Sequence, residues 1–332
     1  MSRRPVTSLR LNNDVPVDEF IELARLAESL EFDQLWVSND LFFRSAPVLL
    51  AAAATMTREI RLGTCILNPY SMHPAEIAMT ATTLQELSGG RFLLGLAAGA
   101  DDFLGWAGIA RDSPLTRTRE AIVAIRALCS GLSPVDVPGG GDNWRPDARL
   151  RIPVAPMPIY LGAMSPRMLA LIGELADGGL PLLYPPESFT ESVRHIAAGA
   201  ARAGRQLDDV DVAACIWVSV AADAEQARQP MAEKLAYYGA SFPPDVLARV
   251  GVDPTLLTDL REVDPAEAAA QLPPEMLTLG VSGTPEEVIE RCGWLIDAGA
   301  RHVSFGPPLG PDRRAAVRQL GEDVVPHLPN VR

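Results

Sequence analysis

The 332-residue chain has only four cysteines, Cys65, Cys129, Cys215 and Cys292, and no C-x-x-C pair among them. Such wide spacing excludes a zinc ribbon or a disulfide framework. The four histidines, His73, His195, His302 and His327, are equally scattered and form no H-E-x-x-H pair, so metal ligation has no basis in the sequence. No apolar run reaches the roughly 18 residues that span a bilayer. The opening MSRRPVTSLRLNND carries a basic pair but no apolar core followed by a small-residue cleavage site. The expectation is a soluble, cytoplasmic protein without a membrane partner. Positive charge is scarce too: 29 Lys and Arg against 42 Asp and Glu give a net charge of −13. Nucleic-acid binding is disfavoured on that balance, because displacing counterions needs a basic face. A small-molecule substrate is not, since a few placed arginines can hold an anion on an acidic protein.

What the chain does have is a large apolar content, 48%, arranged in a regular rhythm. The stretch Ile60–Gly99 carries two strand-like runs, Ile60–Leu67 and Phe92–Ala97, around a helical pattern that starts near Pro74. Ile77, Ala81, Leu84 and Leu87 read as one stripe of that helix, and Ser88-Gly89-Gly90 ends it. A crossover of this length makes the two strands parallel neighbours. Further strands are expected at Val6–Leu11, Gln34–Val37, Pro158–Gly162, Leu180–Leu183, Val210–Val220 and His302–Phe305, with helices between them. Eight apolar strands alternating with helices favour an α/β fold, a closed (β/α)8 TIM barrel. The competing doubly wound sheet lacks its G-x-G-x-x-G fingerprint. We expect one domain over 1–332, with irregular insertions at about 131–156 and 240–282. The Gly139-Gly140-Gly141 triplet in the first insertion reads as a loop, because no strand and helix adjoin it to make a phosphate cradle.

In such a barrel the chemistry sits beyond the carboxyl ends of the strands. Those ends collect Asn12 and Asn13, Asn39 and Asp40, Cys65, Ile66 and Asn68, Ala98 to Asp102, Ala163 to Ser165, and Tyr184. The rim contains few ionisable groups, the composition expected where an organic cofactor carries the chemistry. Leu161-Gly162-Ala163-Met164-Ser165-Pro166-Arg167 suits an anion: small residues admit a ligand, and Ser165 and Pro166 open a helix whose free N–H groups and Arg167 favour phosphate. The same residues also describe an ordinary strand-to-helix cap. Asp40 could contact a ligand or cap its turn. Trp36, Trp106 and Trp217 could wall a flat ring or fill core. Cys65, with no histidine adjacent in sequence, reads as a structural thiol.

Taken in order, RLNND, WVSND, LGTCILNPYSMHPAEIAM, SGGRFLLGLAAG, IYLGAMSPRMLALIGELADG and HVSFGPPLGPD resemble the luciferase-like monooxygenase superfamily over nearly the whole chain. They are most similar to its deazaflavin-dependent, methylenetetrahydromethanopterin reductase-like branch. The resemblance implies a (β/α)8 barrel with insertions, a homodimer, and coenzyme F-420 as cofactor. It implies a non-prolyl cis peptide at Cys65–Ile66 backing the deazaflavin ring, with Asn68 beside it. It places phosphate at Gly162, Ala163, Met164 and Ser165 with Arg167, the cofactor along Ala98-Gly99, and Asp40 near the ring as the catalytic candidate. Arg10 and Ala100 depart from the pattern: they stand where several deazaflavin enzymes carry glutamates, which removes an obvious proton donor. Asp40, Asp101, Asp102 or water would then supply any proton. The implied activity is hydride transfer from the reduced deazaflavin to an electrophilic carbon, with a C=N or iminium group preferred because it needs no acid. The alternatives are a monooxygenase using flavin mononucleotide (FMN), or a barrel that binds a flavin-like ligand without turnover.

Overall fold

The computed structural model describes residues 3–141, 143–239, 242–257, 260 and 263–331. Strands and helices alternate: β1 Val6–Leu11, α1 Val17–Ser29, β2 Gln34–Val37, α2 Ala46–Met56, β3 Arg61–Thr64, α3 Pro74–Leu87 and β4 Phe92–Leu96. Then come α4 Asp101–Trp106, α5 Pro114–Cys129, β5 Ile159–Ala163, α6 Pro166–Leu175, β6 Gly178–Pro181 and α7 Phe189–Arg202. The last part holds β7 Asp211–Val220, α8 Ala224–Gly239, α9 Pro244–Arg249, α10 Pro265–Gln271, β8 Val281–Gly283, α11 Pro285–Asp297, β9 His302–Leu309 and α12 Arg313–Gln319. All named strand pairs are parallel, and β9 closes the ring by pairing with both β1 and β7. Eight strands make the barrel. The short β8 pairs only with the far end of β7, at Val218–Val220.

The core follows the apolar pattern that the sequence displays. Phe20, Leu23, Ala24 and Ala27 of α1 are buried against the sheet, as are Ile122, Ile125 and Leu128 of α5. On α3 the buried stripe is rotated from the expected one, because Leu87 is 44% exposed. Ten residues after Ile77 it has rotated about 80° from that face, and Ala78, Thr82 and Gln85 are buried there in addition to Ile77, Ala81 and Leu84. Inside the ring, Trp36 and Tyr160 meet edge to face with centroids 4.9 Å apart and plug the barrel, with Leu93, Leu180, Ala213 and Cys215 around them. Trp36 is therefore core and not a wall of the site.

Two segments depart from the expected irregularity. Across 131–156, Ser133 Oγ donates to the Arg145 carbonyl at 2.9 Å and Trp144 packs on the main core. The glycine triplet makes a tight turn: a Cβ on Gly140 would lie 2.0 Å from the Pro134 carbonyl oxygen. Among the described residues between 240 and 282, α9, α10 and two 3-10 turns fold onto α8 and build a second core from Phe242, Val246, Leu247, Leu257, Met276 and Leu279. That core also holds Tyr184 and Trp217, so it stands on the carboxyl end of the barrel.

Candidate active site

A cavity of about 840 Å³ opens at the carboxyl ends of the strands, beneath α4, α8 and α9. Its size is that of a small-molecule site. One wall is made where β3 leaves the sheet. Cys65 N–H still donates to the Val37 carbonyl at 2.6 Å, and Leu67 rejoins by donating to Gly95 O at 2.9 Å and accepting from Ala97 N at 3.1 Å. Between these ladder bonds the Cys65–Ile66 peptide is cis, and both residues line the cavity. Facing them is β5, where Gly162 leaves the space a side chain would fill: its Cβ would meet Ile66 Cγ2 at 3.2 Å. Asn68 lines the same wall, but its Oδ1 is committed to the turn, accepting from Tyr70 N at 3.1 Å and Ser71 N at 2.9 Å.

At the mouth of β5, Ser165 occupies the N-cap position of α6 and Pro166 the first turn, yet the Ser165 side chain makes no capping hydrogen bond. The first N–H groups of this helix therefore remain for a ligand or solvent. Ala163, Met164 and Ser165 all line the cavity, as do Ala98 and Gly99. Arg167 does not: at the second position of α6 it is exposed and stands outside the lining.

The polar groups lie deeper. Asp40 lines the cavity, and burial raises its carboxyl above the usual carboxylate range, against the opposing charge of Lys234. Its carboxylate is not the cap of its turn, because Asn39 Oδ1 takes that part by accepting from Ala46 N at 3.0 Å. Asn13 ties the same loop down by donating to the carbonyls of Asp40 and Arg44 at 2.9 and 2.6 Å. Arg10 is 5% exposed on β1 and donates through one terminal nitrogen to Ile216 O at 2.5 Å and Ser304 O at 3.3 Å. Its Nε has no partner. Burial pushes the Cys65 thiol up to about 12, with Arg10 opposing, so it is protonated at neutral pH and is no nucleophile.

The expected residues converge, with the exception of Arg167. Asp101 and Asp102 are exposed at the start of α4, and of the two only Asp102 lines the cavity. Trp106 and Trp217 do wall the site; Trp217 packs with Tyr184 and Phe242 at centroid distances of 4.9 and 5.8 Å. Sequence reasoning missed Lys234, which enters the cavity from α8 with Nζ 4.6 Å from the ring centroids of both Trp217 and Tyr238. A signal was available, since Lys234 is the one lysine in the chain.

A family model described as luciferase-like monooxygenase matches residues 4–302. The chain is 34% identical to the 5,10-methylenetetrahydromethanopterin reductase of Methanolobus tindarius, over 93% of this chain and 96% of the relative. It is 35% identical to the enzyme of the same name from Archaeoglobus fulgidus, over 95% and 98% of the two chains. Among solved structures, the coenzyme F-420-dependent tetrahydromethanopterin reductase from Methanopyrus kandleri superposes with a TM-score of 0.90 at 28% identity, covering 98% of this chain and 99% of the other.

Proposed function

The chain belongs to the luciferase-like monooxygenase family, and from that premise we propose that it is a coenzyme F-420-dependent oxidoreductase acting on a C=N or iminium carbon. The observation that carries the reading is the cavity itself. It is a slot lined by small and apolar groups from β3, β4 and β5, adjoining an uncapped helix start. When bound, the reduced deazaflavin supplies the hydride; the protein supplies orientation and exclusion of water.

The residues present fit such a group. Gly162 leaves the space a flat ring needs beside Ile66, and the Ser165 hydroxyl and α6 N–H groups are uncommitted by any side-chain cap. In this reading Cys65 and Ile66 back the ring, and Asn68, Ala98 and Gly99 run along it. Gly162, Ala163, Met164 and Ser165 hold phosphate, and Arg167 adds positive charge beside them from outside the lining. Asp40 is the acidic group nearest the reacting end. The reductase names of the relatives support a methylene-bearing reduced pterin or a folate-like molecule as substrate class.

Four free cysteines support a reducing, cytoplasmic setting. A homodimer is supported by apolar side chains left exposed on the adjoining helices α2 and α3: Val48 at 68%, Met56 and Met79 at 53%. The test is a fluorescence titration of the purified protein with oxidised coenzyme F-420 and, separately, with FMN; light scattering on the same sample reads the mass. Saturable binding of the deazaflavin in preference to FMN is expected. Preference for FMN would move the protein to the oxygenase side of the family, and binding of neither would remove the cofactor assignment.

A further inference from the structure

Of 29 lysines and arginines, every one except Lys234 is arginine. The two cations are not equivalent: a guanidinium keeps its proton in any protein, whereas a desolvated ammonium can release it near neutral pH. The one cation of the chain, among lysines and arginines, that can give up its proton near neutral pH therefore lines the cavity. Its position is built. Nζ lies 4.6 Å from the centroids of Trp217 and Tyr238, and contact with ring faces stabilises an ammonium without occupying its three N–H donors. Those donors remain available to a ligand.

We propose that Lys234 is the proton donor of the reaction: the methylene-bearing substrate class named above carries a neutral aminal, an N–CH2–N bridge, which must gain a proton before it can accept hydride. The proposal rests on the deazaflavin reading above. The step balances as follows. One C–N bond of the bridge breaks and its electron pair stays on the departing nitrogen, which takes a proton from Nζ. The lone pair of the other nitrogen forms the C=N+ bond. Hydride then adds to that carbon, and the π pair returns to nitrogen, leaving an N-methyl amine and a secondary amine. A bound reduced deazaflavin would supply the hydride and with it the two electrons, and neutral Lys234 would take a proton back from water entering at the cavity mouth.

The charged surroundings suit this duty. Burial lowers the ammonium to about 8; Asp40 and Asp14, from the loops after β2 and β1, favour its charged form, while Arg10 of β1 and Arg313 of α12 oppose it. Asp102 of α4, Glu191 and His195 of α7, Arg249 of α9, and Tyr184, Tyr237 and Tyr238 also line the cavity. The lysine is thus protonated at neutral pH yet gives its proton up readily, as Brønsted behaviour favours. Asp101 is exposed outside the cavity and fails as a donor on position.

A sole lysine makes the test direct. In protein labelled with [15N]lysine, Nζ gives a single resonance, and its titration in the wild-type chain should show a midpoint about 2 units below that of an ordinary lysine; an ordinary midpoint would overturn the proposal. With reduced coenzyme F-420, two probes separate the chemistry: methylenetetrahydrofolate, a neutral aminal, and N-methyl-3,4-dihydroisoquinolinium, a preformed iminium. Lys234→Met should slow the aminal at least about 100-fold and the iminium less than about fivefold. Lys234→Arg, which keeps the charge but holds its proton, should not restore the aminal reaction. Rescue by arginine, or equal losses on both probes, would reduce Lys234 to a structural cation. If wild-type protein binds no deazaflavin, the cofactor reading fails and takes the proposal with it, an outcome recognisable before any variant is made.

Discussion

The two ends of the barrel interior treat polar groups in opposite ways. At the amino end, His302 is fully buried with Nδ1 3.2 Å from Asp211, and its Nε2 lies 2.8 Å from Ser8 Oγ, which itself donates to Ser304 Oγ at 2.7 Å. Tyr160 donates to Asp211 at 2.7 Å, and Trp36 Nε1 donates to Gln34 at 2.9 Å. Each of these groups is bonded to another. At the carboxyl end, Arg10 has an orphaned Nε, Ser165 caps nothing and Lys234 rests on ring faces. Buried polar groups cost stability unless they are paired. The saturated end is therefore architecture, and the unsaturated end is where a ligand completes the bonding. The Asp–His–Ser line at the amino end resembles a nucleophilic triad in composition, but Ser8 is fully buried and does not line the cavity.

Breaking the saturated end should give the largest effect. His302→Leu leaves Asp211 and Ser8 without their hydrogen-bond partner at a fully buried position, and stranding such polar groups costs about 1–3 kcal/mol. We expect that loss in urea unfolding, with deazaflavin affinity unchanged at temperatures where the variant is folded. Burial pushes the Asp211 carboxyl up, but the His302 charge and the bonds from His302 and Tyr160 outweigh it and hold the group at about 2. A depressed carboxyl stabilises the fold above its unfolded value near 3.9, and the contribution is lost as pH falls through about 2. The acid limb of the wild-type unfolding curve should carry this component, and His302→Leu should flatten it.

The same contrast explains what could be read from the sequence. Barrel strands announce themselves as apolar runs because both faces are covered, and the eight that close the ring lie where those runs lie. Val281–Gly283 has no such run: it is three residues long and abuts the Thr284 capping box, so β8 was invisible. The second core over 240–282 is made by short helices begun at prolines, whose periodicity is too brief to register. Backbone features of the site, such as Gly162 and the Ser165-Pro166 start, were legible because small residues and caps act locally. The deep cations were not. Arg10 meets Ile216 and Ser304 across more than 200 residues of sequence, and Lys234 is an unremarkable helical position until the fold sets it between Trp217 and Tyr238.

An intermediate effect belongs to the mouth of β5. Ser165→Asp places a negative charge at the start of α6, where it satisfies the free N–H groups that a phosphate would otherwise use. The helix should gain slightly in stability while deazaflavin affinity falls about tenfold, equivalent to ~1.4 kcal/mol. The titration that measures binding and a melting curve read the two changes separately. Equal affinity for wild type and variant would remove the phosphate from this helix and leave Ser165 as an ordinary cap position.

The smallest effect on stability, and the sharpest on chemistry, is expected from Asp40→Asn. The Asp40 carboxyl is raised by burial in the folded protein. A raised carboxyl binds its proton more readily folded than unfolded, so its ionisation detracts from stability at every pH above the folded value. Asparagine removes that cost at pH 7 and nothing below the carboxylate range, where Asp40 is already neutral. Lys234 loses its leading attractive charge in the same change, which offsets part of the gain, so the melting temperature should rise by only about 1–2 °C. The lysine should respond more: without Asp40 its Nζ midpoint moves below about 8, and the alkaline limb of the aminal reaction moves with it to lower pH. At the saturated end a lost carboxylate is a lost support. Here it should leave the fold intact and shift a proton, and an Nζ titration that does not move would show that the two groups act independently.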